Sequence, residues 1–214
     1  MRILSYSDYI IANISEIGKR KLYKRAKKSY NVGNDPKGAD LMRLFIAVPL
    51  PKDVQRAVYV AEEGLRAAST AGRFVPAGNF HVTLRFLGES NRLADIAAAM
   101  HEAVKDARPF TLRLGTLGSF THGGARTSFL SVTGDLDELF RIHETLEAAL
   151  FEYGFAGGKV RFTPHITLAR AVEHGDLSNI RVPNAAFPVR SIVLFESTNE
   201  NGRMVYTPVH TEVF

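Results

Sequence analysis

A four-residue pattern of His, a β-branched residue, Thr and Leu occurs twice, as HVTL at residues 81–84 and as HITL at residues 165–168. Both copies lie in runs that favour a β-strand. Alternation along a strand places the His and Thr of each copy on one face and the two aliphatic residues on the other. A strand buried on its aliphatic side holds an imidazole and a hydroxyl rigidly. The two copies together predict one site built from two histidines and two threonines.

His81 and His165 are the members of this set that can move protons. Histidines with an unperturbed pKa of about 6.5 can be neutral or protonated near neutral pH, so two of them can form a base and an acid. Thr83 and Thr167 supply uncharged hydroxyl groups suited to the non-bridging oxygens of a phosphate. No carboxylate accompanies either histidine, so a divalent cation would lack its usual oxygen ligands. We expect phosphoester chemistry without a metal ion or other cofactor, and the order of acid and base stays open.

Two arginines and one phenylalanine are further candidates for substrate contacts. In strict alternation Arg85 shares the face of His81. Arg170 falls on the face opposite to His165 unless its strand carries a bulge. Both arginines are candidate substrate-binding residues, and a plain surface position is the alternative for each. Phe45, in an apolar run, is expected in the core, with stacking of a nucleic-acid base as its alternative.

The elements that must position these residues alternate along the chain. Helical periodicity predicts helices within residues 54–68, 91–107 and 136–153, the last with Asp135 as N-cap and Gly154 as its stop. Strands are predicted at residues 42–49, 79–87, 110–117, 127–133, 160–169, 187–195 and 204–214. Interleaved elements with hairpins predict an α/β or α+β protein with largely antiparallel sheets. The repeated pattern, 84 residues apart, predicts two lobes related by an approximate two-fold axis.

Charge divides the chain at Met42. The nine Lys and Arg within residues 1–41 outnumber four acids, and this surplus accounts for the whole net charge of +5. Residues 1–41 are therefore predicted to be a basic N-terminal extension, which is either an arm that holds RNA or the product of a misassigned start. Residues 42–214 are predicted to form one neutral domain.

The composition excludes several classes of protein. The absence of Cys excludes disulfides, zinc ribbons and thiol nucleophiles. No apolar run approaches the ~20 residues of a bilayer span, and the N-terminus lacks a secretory signal. We expect a cytoplasmic monomer without a membrane partner.

Four sequence blocks, in this order, resemble those of one known family. They are RLFIAVPLP at 43–51, NFHVTLRFLG at 79–88, FTPHITLAR at 162–170, and LFES at 194–197 followed by Gly202 and Tyr206. From Met42 to its C-terminus the chain resembles the 2H phosphoesterases, specifically the bacterial and archaeal RNA 2′,3′-cyclic phosphodiesterases long called 2′-5′ RNA ligases. The resemblance implies an α+β fold of two pseudo-symmetric lobes, each an antiparallel sheet with outer helices, around a central cleft.

The same resemblance implies a reaction. The family hydrolyses a ribose 2′,3′-cyclic phosphate to a 2′-phosphomonoester, with His165 in the place of the base that activates water and His81 in the place of the acid. The implied partner is RNA or a nucleotide with a 2′,3′-cyclic phosphate end. Three alternatives remain open: a 2′-5′ RNA ligase joining tRNA halves, an esterase for a small cyclic nucleotide, and a module that binds RNA ends without turnover.

Overall fold

The computed structural model describes residues 41–157 and 161–214, so the predicted basic extension lies outside the described residues except for Leu41. In the described part, three helices span α1 (Lys52–Ala67), α2 (Leu93–Val104) and α3 (Leu136–Glu152). The strands are β1 (Met42–Pro49), β2 (Ser69–Phe74), β3 (His81–Ser90), β4 (Phe110–His122), β5 (Ala125–Gly134), β6 (His165–His174), β7 (Ala186–Val189), β8 (Ser191–Glu200) and β9 (Arg203–Val213). The predicted α+β class is confirmed.

All strands join one antiparallel sheet in the order β7-β4-β5-β6-β3-β1-β8-β9, with β2 paired to β6 beside this path. The two motif strands, β3 and β6, are neighbours at the centre of this order. Three strands flank β3 on one side and three flank β6 on the other, which is the two-lobed symmetry expected from the repeated pattern.

The three helices follow the predicted periodicity because each carries one apolar stripe. In α1, for example, Val54, Val58, Ala61 and Leu65 are buried in the core that the helices share with the sheet. None of the helices in residues 41–157 and 161–214 is long and apolar enough to cross a bilayer.

The ends of α3 show where local prediction succeeds and fails. The helix ends before Gly154, whose φ of 80° lies in the left-handed region that glycine tolerates. Asp135 occupies the N-cap position but makes no capping bond, because its Oδ2 accepts a hydrogen bond from the backbone N–H of Thr111 at 2.8 Å. The predicted capping role of Asp135 is therefore wrong, and its side chain instead ties α3 to β4.

Three differences from the predicted strands concern the sheet. β2 is missing from the sequence prediction because its side chains are mostly exposed and carry no apolar alternation. The run predicted as one strand at 187–195 is two strands, β7 and β8, separated at Arg190. The strand predicted at 160–169 begins only at His165 and continues to His174.

Candidate active site

The two motif strands meet where Val82 of β3 lies directly opposite Ile166 of β6. Both side chains are fully buried, and so are the Leu residues that end each motif. His81, Thr83, His165 and Thr167 are all partly exposed. The predicted alternation is thus confirmed. Because the strands are antiparallel, extending this register sets each motif's His opposite the other motif's Thr.

Each motif histidine is held by a backbone carbonyl two residues before it. The Nδ1 atom of His81 lies 2.6 Å from the carbonyl oxygen of Asn79, and that of His165 lies 2.7 Å from the carbonyl oxygen of Thr163. A carbonyl oxygen only accepts, so both Nδ1 atoms carry the hydrogen and donate it. In the neutral form of each ring, Nε2 therefore has the free lone pair.

The segment before each histidine is itself anchored. A 3-10 turn at Ala77–Asn79 precedes His81, and the Nδ2 of Asn79 donates to the carbonyl of Met204 at 2.7 Å. Before His165, the ring of Phe162 stacks on His143 of α3 with 4.0 Å between centroids. The two carbonyls that fix the imidazoles are thus tied to β9 and α3.

Aromatic rings surround both imidazoles. The rings of Phe45 and Tyr206 have centroids 4.9 and 5.5 Å from that of His81. The rings of Phe120 and Phe129 lie 5.1 and 5.3 Å from that of His165. Phe45 is only 3% exposed, which matches the expected core position and leaves little of its face for a base. Sequence reasoning did not single out Phe120, Phe129 or Tyr206 as neighbours of the histidines, since these contacts depend on strand order.

This apolar surrounding changes the ionisation of both histidines. The pKa of His81 is lowered from 6.5 to about 4, mainly by burial; the hydrogen bond to the Asn79 carbonyl opposes this shift, and the positive charge of Arg170 adds to it. Burial likewise lowers the pKa of His165, again with a contribution from Arg170. Both imidazoles are therefore uncharged at neutral pH in the free protein. The unperturbed pKa assumed from the sequence holds for neither.

A β-bulge follows the threonine of each motif. Leu84 of β3 has no register partner in β1, and Leu168 of β6 has none in β5. Each is therefore an extra residue in its strand. Each bulge shifts the alternation by one residue, so that the next side chains change face. The expected orientation of Arg85 is consequently wrong, and the bulge considered for Arg170 is present.

Arg85 lies on the helix side of the sheet. Its Nη1 donates to Oε2 of Glu147 in α3 at 3.1 Å, and its Nη2 donates to the carbonyl of Ala156. The side chains of Arg85 and Glu147 are 12% and 5% exposed. Arg85 therefore stabilises the contact between β3 and α3, and it lies on the face of the sheet opposite to the one that carries the motif histidines, which is called the cleft side below.

Arg170 lies on the cleft side, because the extra residue Leu168 returns it to the face of Thr167; its positive charge lowers the pKa of both His81 and His165. Phe86 holds the corresponding place after the bulge in β3, is 62% exposed, and contacts Phe45 with 5.9 Å between ring centroids. Beyond the bulges the cleft thus has a cation on one strand and an exposed aromatic ring on the other.

A cavity of about 310 Å³ adjoins His81 on the side of β8 and β9. Phe195, Tyr206, Gln55 and Thr211 are among its lining residues. Its volume is at the lower end of the range of small-molecule sites, about 300–1,000 Å³. Within the described residues, no group of three or more His, Asp or Glu side chains is arranged to hold a metal ion.

The chain is similar to known proteins over most of its described length. The sequence profile of the 2′-5′ RNA ligase superfamily matches residues 52–201. An RNA 2′,3′-cyclic phosphodiesterase of Thermus thermophilus is 32% identical over 178 residues, which are 78% of this chain and 87% of that protein. A relative of the same name from Geobacillus stearothermophilus is 27% identical over 164 residues, 73% of this chain, and the chain spans about half of its length, 52%.

Solved structures give the same result. The crystal structure of E. coli LigT complexed with 3′-AMP has a TM-score of 0.66 and 26% sequence identity, covering 81% of this chain and 98% of that chain. Its fold agrees with the two-lobed sheet described above. Taken with the profile match over more than half of the sequence, the repeated histidine strands identify the chain as a member of the 2′-5′ RNA ligase superfamily, that is, a 2H phosphoesterase.

Proposed function

We propose that this protein hydrolyses the 2′,3′-cyclic phosphate end of RNA to a 2′-phosphomonoester, without a metal ion, by acid–base catalysis between two histidines. One observation carries the proposal. On two strands that meet at Val82 and Ile166, both histidines donate Nδ1–H to a backbone carbonyl and so keep Nε2 for proton transfer. Relatives named RNA 2′,3′-cyclic phosphodiesterase support this choice of reaction.

The proposed reaction needs one proton transfer on each side of the phosphorus. His165 accepts a proton from water at Nε2, and the water oxygen forms a new bond to phosphorus. The bond from phosphorus to the ribose 3′ oxygen breaks, and His81 donates a proton from Nε2 to that oxygen. The products are a 2′-phosphomonoester and a 3′-hydroxyl. Such proton transfers contribute about 10²–10⁴-fold each.

The remaining cleft residues can stabilise the negative charge of the phosphate. Thr83 and Thr167 are partly exposed, and their hydroxyl groups make no hydrogen bond to another described residue, so they can donate to the non-bridging oxygens. Arg170 adds a positive charge that both histidines experience. Arg85 is left out of the proposed site because its guanidinium is bound to Glu147.

The lowered pKa of His81 sets a condition on this mechanism. Burial keeps the free imidazole neutral, whereas the acid must carry a proton. An anionic phosphate bound between the histidines favours their charged forms and raises their pKa. The substrate therefore supplies the charge that makes His81 an acid.

The direct test follows a short RNA ending in a 2′,3′-cyclic phosphate by ³¹P NMR in the presence of EDTA, with the unsubstituted protein and with His165→Ala. We expect the signal of a 2′-monophosphate with the unsubstituted protein alone. Persistence of the cyclic phosphate with both proteins would reject this substrate, and hydrolysis only after addition of a metal ion would reject the two-histidine mechanism. Binding without turnover would favour the module that recognises RNA ends, and joining of tRNA halves would favour the ligase.

An RNA substrate of this kind would be met in the cytoplasm, which stays the proposed compartment. The expected monomeric state also stays a prediction. Size-exclusion chromatography with light scattering of the full chain tests it, because a monomer has a mass of 23.6 kDa.

A further inference from the structure

The ring of Phe162 is held by two aromatic side chains of α3. It stacks on His143 with 4.0 Å between the ring centroids and 1° between the ring planes, and Phe140 meets it edge-on at 5.6 Å. Phe140 and His143 are three residues apart and therefore lie on one face of the helix. His143 is only 6% exposed. The buried stack thus fixes both the position and the tilt of the Phe162 ring.

The segment that Phe162 belongs to provides the hydrogen-bond acceptor of His165. Residues 161–164 belong to no helix or strand, and within them the carbonyl oxygen of Thr163 accepts the hydrogen bond from Nδ1 of His165. Thr163 is exposed, but Phe162 before it packs against the core and Pro164 after it is buried. Proline has no N–H that could bind this segment to a neighbouring strand. Side-chain packing must therefore hold the carbonyl in place.

The bond to Thr163 decides which nitrogen of His165 can take up a proton. A neutral imidazole carries a single hydrogen, on either Nδ1 or Nε2. While the carbonyl accepts from Nδ1, the hydrogen stays there and Nε2 keeps its lone pair. If the carbonyl moves away, the hydrogen can also be on Nε2, and that form of the ring cannot accept a proton at Nε2.

The carbonyl before His81 is held in a different way. Asn79 ends a 3-10 turn, and its side chain donates a hydrogen bond to the carbonyl of Met204 in β9. These contacts involve no residue of α3. A change at His143 should therefore affect the environment of His165 and leave that of His81 unaltered, so that His81 can serve as an internal reference.

We propose that His143 is a positioning residue for His165: by stacking on Phe162 it holds the Thr163 carbonyl, which keeps the hydrogen of the His165 ring on Nδ1. This inference rests on the proposed function, in which His165 accepts a proton at Nε2. His143 acts only as a flat ring, because α3 packs on the face of the sheet opposite to the cleft side. It neither touches the substrate nor transfers a proton.

The first test determines the tautomer of His165 directly, by ¹⁵N NMR of the histidine rings in the free protein near neutral pH. We expect the Nδ1–H form for both His81 and His165 in the unsubstituted protein. In His143→Ala, part of His165 should change to the Nε2–H form, whereas His81 should keep its form. An unchanged His165 spectrum in folded His143→Ala would overturn the inference.

The second test uses His143→Phe to separate the stacking from the imidazole chemistry. A phenyl ring can stack on Phe162 in the same place, so this variant should keep the Nδ1–H form of His165 and a kcat close to that of the unsubstituted protein. In His143→Ala we expect kcat to decrease by about 10-fold, less than the ~10²–10⁴-fold for loss of a whole general base, with KM nearly unchanged. Folded His143→Phe as slow as His143→Ala would overturn the stacking role.

Leu150→Ala is the matched control for loss of packing, since Leu150 is 1% exposed on the same helix, about two turns from His143. It should lower the unfolding temperature and leave the tautomer of His165 and kcat unchanged. The same tautomer change in Leu150→Ala as in His143→Ala would assign the effect to general loosening of α3 and reject the inference. If the unsubstituted protein hydrolyses no cyclic phosphate, the proposed function fails, and the NMR comparison still decides whether His143 positions His165.

Discussion

Val82 and Ile166 lie directly opposite each other at the junction of the two halves of the sheet, and both are 0% exposed. They are the second residues of the two motifs. Their contact fixes the phase of both strands, because a shift by one residue would turn His81 and His165 from the cleft into the core. The histidine pair is thus positioned by the aliphatic residues that follow each histidine.

We expect His81→Ala and His165→Ala each to lower kcat by about 10²–10⁴-fold, since each substitution removes one proton transfer. The double variant should be little worse than either single one, because the two groups act in one step. His101→Ala is the control, since His101 is an exposed histidine of α2 that contacts Glu212. Thermal unfolding must show that all variants remain folded. More than a tenth of the activity in a single variant would contradict its assignment.

The pH dependence of hydrolysis should reveal the lowered pKa of both histidines. The profile of kcat/KM reports the free enzyme, so its optimum should lie below pH 6.5. The profile of kcat reports the complex, and the bound phosphate anion should move its optimum to higher pH. In Arg170→Gln the kcat/KM optimum should also rise, because a positive charge near both histidines is lost. A kcat/KM optimum above pH 7 in the unsubstituted protein would contradict the burial of the histidines.

Thr83→Val and Thr167→Val should each raise the activation free energy by about 2–4 kcal/mol, the cost of losing one donor to the developing charge. Valine keeps the branched shape and removes only the hydroxyl. The loss should appear in kcat, because the bond strengthens in the transition state. Thr133→Val, at an exposed position of β5, is the control. A change in KM alone would indicate that the hydroxyls bind the ground state.

The motif strands and the helices could be predicted from the sequence because each is determined by the pattern of neighbouring residues. The alternation around His81 and the apolar stripe of α3 reflect one buried face each. The repeated pattern predicted the two-lobed arrangement, and the resemblance to a family added the central cleft between the lobes. By contrast, β2 has an exposed and glycine-containing sequence, and only its pairing with β6 makes it a strand.

The bulges could not be predicted because Leu84 and Leu168 continue the alternating pattern without a break. Each becomes an extra residue only through the register with a neighbouring strand. Their effect on Arg85 and Arg170 is large, since it reverses the face of both. The lowered pKa of the histidines could not be predicted either, because the rings that bury them come from other strands.

The ion pair between Arg85 and Glu147 should affect stability more than substrate binding. Arg85→Met removes one ion-pair partner of a carboxylate that is 5% exposed, and we expect a lower free energy of unfolding, by up to about 3–5 kcal/mol. Adding Glu147→Gln should recover part of this loss, because a neutral amide costs less to bury than a carboxylate. Urea unfolding measures both variants. A raised KM for the cyclic phosphate in folded Arg85→Met would instead indicate that Arg85 binds the substrate.

His143 should make the fold less stable in mild acid. Burial and the charge of Arg85 lower its pKa from 6.5 to about 4. Between these values the unfolded chain binds a proton that the folded protein does not. The contribution is therefore fully present above pH 6.5 and is lost as the pH falls toward 4, by up to about 3 kcal/mol.

The variant that isolates this effect is His143→Phe, which keeps an aromatic ring to stack on Phe162 and cannot take up a proton. Urea unfolding at pH 6.5, 5.5 and 4.5 should show a shallower decrease in the free energy of unfolding than in the unsubstituted protein. His101→Phe, at an exposed position, should follow the unsubstituted curve. Parallel curves for His143→Phe and the unsubstituted protein would show that His143 is protonated equally in both states, and the acid sensitivity would then belong to other groups.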